Sequence, residues 1–131
     1  MKLLTDTSVF LKVLEGGQKP SAQHRQYITD PANEKWISQF SLMELVIKMK
    51  IGKLPQITLT PEDILKQALA DGFLLLTVSI AQIFAYNKLP LLQDHRDPFD
   101  RFIISAAIVE NMKIITTDAK FHLYKDYVEL L

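Results

Sequence analysis

Four separated regions of the chain carry carboxylates where an acid could do chemistry. They are Asp6 near the start, Glu44 in the first half, the pair in Asp97-Pro98-Phe99-Asp100, and Asp118 near the end. Carboxylates gathered within several ångströms repel one another unless protons or a cation neutralise them. Oxygen donors at loose spacing suit Mg²⁺ or Mn²⁺, whose octahedral shells are completed by water and substrate phosphate. Basic residues accompany the acids: Arg96 and Arg101 flank the pair, Lys120 follows Asp118, and Lys48, Lys50 and Lys53 crowd the end of one predicted helix. Around an acidic centre such cations would form a phosphate-contacting rim. The three lysines equally complement a helix C-terminus.

Each acid also has a plain structural reading. Ser41-Leu42-Met43-Glu44 spells a capping box, in which Glu44 would bond back to the Ser41 amide. Asp97-Pro98-Phe99-Asp100 supplies a helix cap, a proline at the first helical position and an acid in the first turn, stabilising that turn by about 0.5–2 kcal/mol. Asp6 and Asp118 fit turns or caps. Taken singly, each acid reads as local structure. The deciding question is whether the elements bring them to one place.

Residues 2–5 read as a strand ending at Asp6. Val9, Phe10, Val13 and Leu14 then recur at helical spacing until Gly16-Gly17. A more polar helix spans 21–28, a strand 35–39, and a helix capped by Ser41 runs to Ile51. Thr60-Pro61-Glu62-Asp63 starts the next helix, with Ile64, Leu65, Ala68 and Leu69 as its apolar stripe. A strand over 73–78, a helix over 80–86 capped by Ser79, and a loop over 87–96 follow. Asp97 caps a helix carrying Phe102, Ile103, Ala106 and Ala107, which leads to a strand at 113–117, and 127–131 offers an edge strand. Strands alternating with helices imply parallel βα units. Sites in such sheets form at the carboxyl ends of strands. Asp6 and Asp118 follow strands, and Glu44 and Asp100 open the helices that follow or feed them, so all four share one edge.

The chain has 131 residues, enough for one domain that buries roughly 65–70% of its unfolded surface. Fifteen basic and fifteen acidic residues cancel, so no global field draws it to nucleic acid or membrane. The absence of cysteine excludes disulfides and thiolate chemistry. His24, His95 and His122 are too scattered for a zinc motif, although His95 stands near enough to Asp97 to contact a substrate. Phosphate-loop, dinucleotide and nucleophile-elbow motifs are missing. The first residues are charged too early for a signal peptide, and no apolar run reaches the roughly 20 residues of a membrane span, so a cytoplasmic protein is expected.

Taken in order, these blocks resemble the PIN domain. Asp6-Thr7-Ser8-Val9-Phe10-Leu11 resembles its opening, and Ser41 to Lys48 followed by Gly52-Lys53-Leu54 its second acidic block. Arg96 to Arg101, and later Ile115-Thr116-Thr117-Asp118, resemble its third and fourth. The variant most resembled is the VapC-like toxin of toxin–antitoxin pairs. The resemblance implies a three-layer α/β/α fold with a parallel sheet of four to five strands. It also implies a Mg²⁺- or Mn²⁺-dependent endoribonuclease, commonly homodimeric and held inactive by a small antitoxin. Asp6, Glu44, Asp100 and Asp118 would form the acidic cluster, with Asp97 as helix cap and alternative ligand, and Arg96, Arg101 and Lys120 near the substrate. The rival reading is a catalytically silent protein-interaction module of the same fold.

Overall fold

The computed structural model describes residues 1–17, 19–92, 95 and 97–131. Short apolar runs make a four-stranded parallel sheet in the order β3-β2-β1-β4, from β1 (Lys2–Thr5), β2 (Glu34–Ser38), β3 (Leu74–Leu76) and β4 (Lys113–Ile115). Register sets Leu4 beside Trp36 on one side and Ile114 on the other, with Ile37 beside Leu75. Because side chains alternate along a strand, this register sorts the core into two halves. Leu3, Ile37 and Ile115 pack on one face with Val9, Phe10, Leu45, Ile64 and Ala68. Leu4, Leu76 and Ile114 pack on the other with Ile103, Ile104, Ala107, Phe121 and Tyr124.

The helices supplying those residues are α1 (Thr7–Glu15), α2 (Ala22–Thr29), α3 (Gln39–Lys50), α4 (Pro61–Ala70), α5 (Ile80–Ala85) and α6 (Pro98–Val109). Two 3-10 turns, Tyr86–Lys88 and Ala119–Tyr124, complete the elements. The result is a three-layer α/β/α sandwich. β1 sends its chain towards β2, while β4 pairs on its other side, so connections diverge at the β1/β4 seam. That divergence opens a crevice at the carboxyl ends of the two strands. Among the described residues, no helix is long and apolar enough to cross a membrane.

Two expectations need correction. α3 starts at Gln39, directly from β2, and its cap is Ser38, whose hydroxyl accepts from the Phe40 amide at 3.0 Å. Ser41 is inside the helix, buried, and accepts a hydrogen bond from the Thr7 hydroxyl at 2.9 Å. The capping box therefore does not form, and Glu44 lies in the second turn with its carboxylate released from that duty. The predicted edge strand at 127–131 reduces to a parallel bridge between Ile114 and Leu130, held by Ile114 N to Glu129 O at 2.9 Å and Leu131 N to Ile114 O at 2.8 Å.

Candidate active site

Asp6 is the first residue beyond β1 and the cap of α1. Its Oδ1 accepts from the Val9 amide at 2.7 Å and from the Ser8 hydroxyl at 3.2 Å, and its Oδ2 accepts from the Thr116 hydroxyl. Burial pushes its carboxyl above the usual range. Hydrogen bonds from Thr116, Val9 and Ser8 oppose that rise, and the charge of Asp118 adds to it. Across the crevice, the first turn of α6 carries Asp100. Its N-cap is Asp97, whose Oδ1 accepts from the Phe99 amide at 2.9 Å and the Asp100 amide at 3.4 Å. Asp97 thus starts the helix, as its sequence context suggests, and Asp100 is left to face the crevice. Its carboxyl is raised to about 6, first by burial and then by the charges of Asp97 and Glu44, against hydrogen bonding from His95.

Glu44 approaches from α3. Its side chain is buried, with Oε2 on Lys48 Nζ at 2.8 Å. Its Oε1 has no hydrogen-bond partner among the described residues. A buried carboxylate oxygen left bare is costly. Asp118 closes the set from beyond β4, where it caps the 3-10 turn by accepting from the Lys120 amide at 2.9 Å. One cleft of about 200 Å³ is lined by all five acids, Asp6, Glu44, Asp97, Asp100 and Asp118, together with Thr7, Ser8, Leu11 and Lys48. The chain therefore brings together acids separated by more than a hundred residues at one sheet edge.

The profile of the PIN domain matches residues 3–126. This chain belongs to the PIN-domain family. No curated relative matches the sequence. Solved structures share its fold at low identity. VapBC2 from Rickettsia felis, bound to a DNA fragment from its promoter, is 20% identical with a TM-score of 0.72, over 100% of this chain and 98% of that one. VapBC-1 from nontypeable Haemophilus influenzae is 17% identical with a TM-score of 0.67, over 100% and 97%. A toxin–antitoxin complex from Klebsiella pneumoniae is 21% identical with a TM-score of 0.58, over 90% and 88%.

The cleft of this PIN domain fits a hard cation by its chemistry. Its carboxylates and hydroxyls offer only oxygen as ligand atoms, one buried oxygen is unpartnered among the described residues, and two of its acids are held above their usual range. Among the described residues, no three His, Asp or Glu side chains stand grouped so as to hold an ion by themselves.

The predicted substrate contacts fare unevenly. Arg101 is not at the rim: it is 1% exposed, with Nη1 donating to Pro90 O at 2.8 Å and Tyr124 OH at 2.9 Å, and its guanidinium lying over the Tyr86 ring at 4.7 Å. Position 101 falls on the inward face of α6, between the buried stripe and the loop, which its spacing from Ile104 and Ser105 makes legible. His95 is likewise buried between Asp100 and Tyr124, so its expected contact with substrate is replaced by structural ties. Lys120 is exposed and does not line the cleft. Arg96 lies outside the described residues. Lys48, read with its neighbours either as a phosphate-contacting cation or as a helix-end one, lines the cleft. Its spacing of four from Glu44 is the signal that pairs them. Thr116 was absent from the expected site altogether. Strand register reveals it, since Thr5 pairs with Ile115 and the next residues on each strand are Asp6 and Thr116.

Proposed function

We propose that this PIN domain is a Mg²⁺- or Mn²⁺-dependent endoribonuclease, the toxin of a toxin–antitoxin pair. One observation carries the reading: Glu44 Oε1 is buried and, among the described residues, without a hydrogen-bond partner, in a cleft whose remaining walls hold four more carboxylates. Asp6 and Asp100 would hold the cation directly. Glu44 and Asp118 would bind it through water or assist a second ion, and Asp97, exposed and committed to capping α6, would contribute least. A bound Mg²⁺ or Mn²⁺ would supply Lewis acidity, acidifying a water and stabilising charge on the phosphate. In such a hydrolysis the water oxygen would bond to phosphorus, the bond from phosphorus to the 3′ oxygen would break and a proton lost by the water would end on that oxygen, giving a 5′-phosphate and a 3′-hydroxyl. Lys48, and Lys120 beside Asp118, would meet the RNA backbone.

An antitoxin partner is supported by the fold relatives solved as VapBC and toxin–antitoxin complexes. It is also supported by the outer face of α3. Met43, Val46 and Ile47 are about half exposed there and line a shallow apolar groove with Leu42 and Phe99, on the same helix that carries Glu44. Exposed apolar surface of this kind marks protein contact, and a partner seated on it would lie next to the acids. The proposed site of action is the cytoplasm.

The test is cleavage-site mapping on total cellular RNA with Mg²⁺. The parent should leave 5′-phosphate ends, and Asp6→Asn and Asp100→Asn should each cut at least about 100-fold more slowly, since even outer partners of a metal site commonly account for 10–100-fold. Equal cutting by both variants would sink the assignment. A parent that neither cuts RNA nor binds Mn²⁺ would favour the silent interaction module.

A further inference from the structure

A buried chain of polar side chains leads to Asp100. Arg101 Nη1 donates to Tyr124 OH at 2.9 Å, Tyr124 OH meets His95 Nδ1 at 2.9 Å, and His95 Nε2 meets Asp100 Oδ2 at 3.1 Å. Arg101, Tyr124 and His95 are at most 2% exposed, whereas the Asp100 side chain retains 18% exposure to the cleft. The chain thus runs from the core to the one member that faces solvent.

Its direction follows from donor chemistry. Arginine only donates, so the Tyr124 oxygen accepts from Arg101 and keeps its own proton to give. Two acceptors compete for that proton: His95 Nδ1 at 2.9 Å and the His95 carbonyl at 3.4 Å. With the Tyr124 proton given to Nδ1, the shorter of the two contacts, the ring proton lies on Nε2 and is donated to Asp100. The ring is further held edge-on to Tyr124, with centroids 5.3 Å apart, and against Phe121 at 5.9 Å. In that arrangement the hydrogen bonds run from Arg101 through Tyr124 and His95 to one carboxylate, and the ring that delivers the last one is packed against two aromatic side chains.

We propose that His95 is a positioning residue of the cleft: fixed by Tyr124 and Arg101, it holds the Asp100 carboxylate in the orientation that receives the divalent cation. The inference rests on the metal-dependent reading of the same cleft. Outer hydrogen bonds that orient a ligand commonly change metal affinity by about 10–100-fold when removed. His95→Gln retains an N–H donor with similar reach, and His95→Phe retains the ring volume without it. Tyr124→Phe removes only the hydroxyl, keeping the packing and guarding against loss of fold.

The experiment is Mn²⁺ titration of the folded proteins, read by the signal of free Mn²⁺, together with nitrogen spectroscopy of the His95 ring in the metal-free parent. The expected result is about tenfold or weaker Mn²⁺ binding in His95→Phe, substantial recovery in His95→Gln, and a smaller loss in Tyr124→Phe. The parent ring should show its proton on Nε2, and Tyr124→Phe should lose that preference. If the parent binds Mn²⁺ and His95→Phe or Tyr124→Phe binds it equally well, the positioning role alone is overturned. A parent that binds no Mn²⁺ overturns both this inference and the metal-dependent reading.

Discussion

The Thr116 hydroxyl donates to Asp6 Oδ2, joining the first residue beyond β4 to the first residue beyond β1. With Oδ1 already taken by the Val9 amide and Ser8, both oxygens of this buried carboxylate are supported. Thr116 is the strongest of the three supports that hold the Asp6 carboxyl down against burial. Thr116→Val should therefore raise that carboxyl further and lower stability by about 1–3 kcal/mol, as expected for a lost bond to a buried charged group. Thr116→Ser should preserve both. Urea melts and Mn²⁺ titrations at acidic and neutral pH check this, with the valine variant needing a higher pH to bind. Indistinguishable valine and serine variants would remove the hydroxyl from the account.

Lys48 stands in the cleft as a resident cation. Its ammonium is held above its usual range first by the hydrogen bond to Glu44, then by the charges of Glu44, Asp97 and Asp100, against partial burial. Lys48→Met would leave both oxygens of Glu44 without a partner among the described residues. The pair is intermediate between an exposed and a buried one, so a stability loss of about 1 kcal/mol is expected without divalent ions. Mg²⁺ should then raise the melting temperature of the variant more than that of the parent, because binding to the folded state alone stabilises it. Equal shifts in the two proteins would mean that lysine and cation do not share the site.

Asp100 gives the metal-free protein a characteristic pH dependence. Its carboxyl ionises at 3.8 in the ordinary case and at about 6 here. Between those values the folded state holds a proton that the unfolded state has released, so stability falls as pH rises through this window and levels off above about 6. Asp6, shifted in the same direction, adds to the fall. Asp100→Asn should flatten much of the slope in denaturant melts from pH 4 to 7. Mn²⁺ affinity of the parent should strengthen over the same interval, as the cation competes with the proton for Asp100. A parent whose stability rises through the window would contradict the placement of this acid.

The legible and illegible parts of the site divide by the distance over which each is determined. Asp97 as cap and Pro98 at the first position of α6 are local features, and the structure has both. The shared edge of Asp6, Glu44, Asp100 and Asp118 was also legible, because alternating strands and helices dictate which strand ends coincide. The start of α3 was misread by three residues, from a cap at Ser41 to the observed cap at Ser38. Ser38 and Ser41 offer equal capping chemistry, and the choice was made by the end of β2 and by the Thr7 hydroxyl, 34 residues away. Arg101 was misassigned for a similar reason. Its role depends on Tyr124, Leu89 and Pro90, brought to it by packing that no short window contains.

α5 turns a polar residue inward and apolar residues outward. Gln82 is 1% exposed, with Nε2 donating to Thr77 O at 3.3 Å and to Glu110 Oε1 at 3.2 Å. Ile80 and Phe84 on the same helix are 64% and 67% exposed. The exposure of Phe84 places it outside the core. Two large apolar side chains facing solvent from a short helix, packed from behind by α6, make a patch of the kind that marks protein contact, and we propose a second copy of the chain as its occupant, in line with the homodimer the family resemblance implies. Phe84→Asp places a charge at the centre of that patch without touching the acidic cleft. Light scattering should find a dimer for the parent and a monomer for the variant, with Mn²⁺ binding per chain unchanged. A monomeric parent, or a variant that still dimerises, would assign the exposed face of α5 to a different partner.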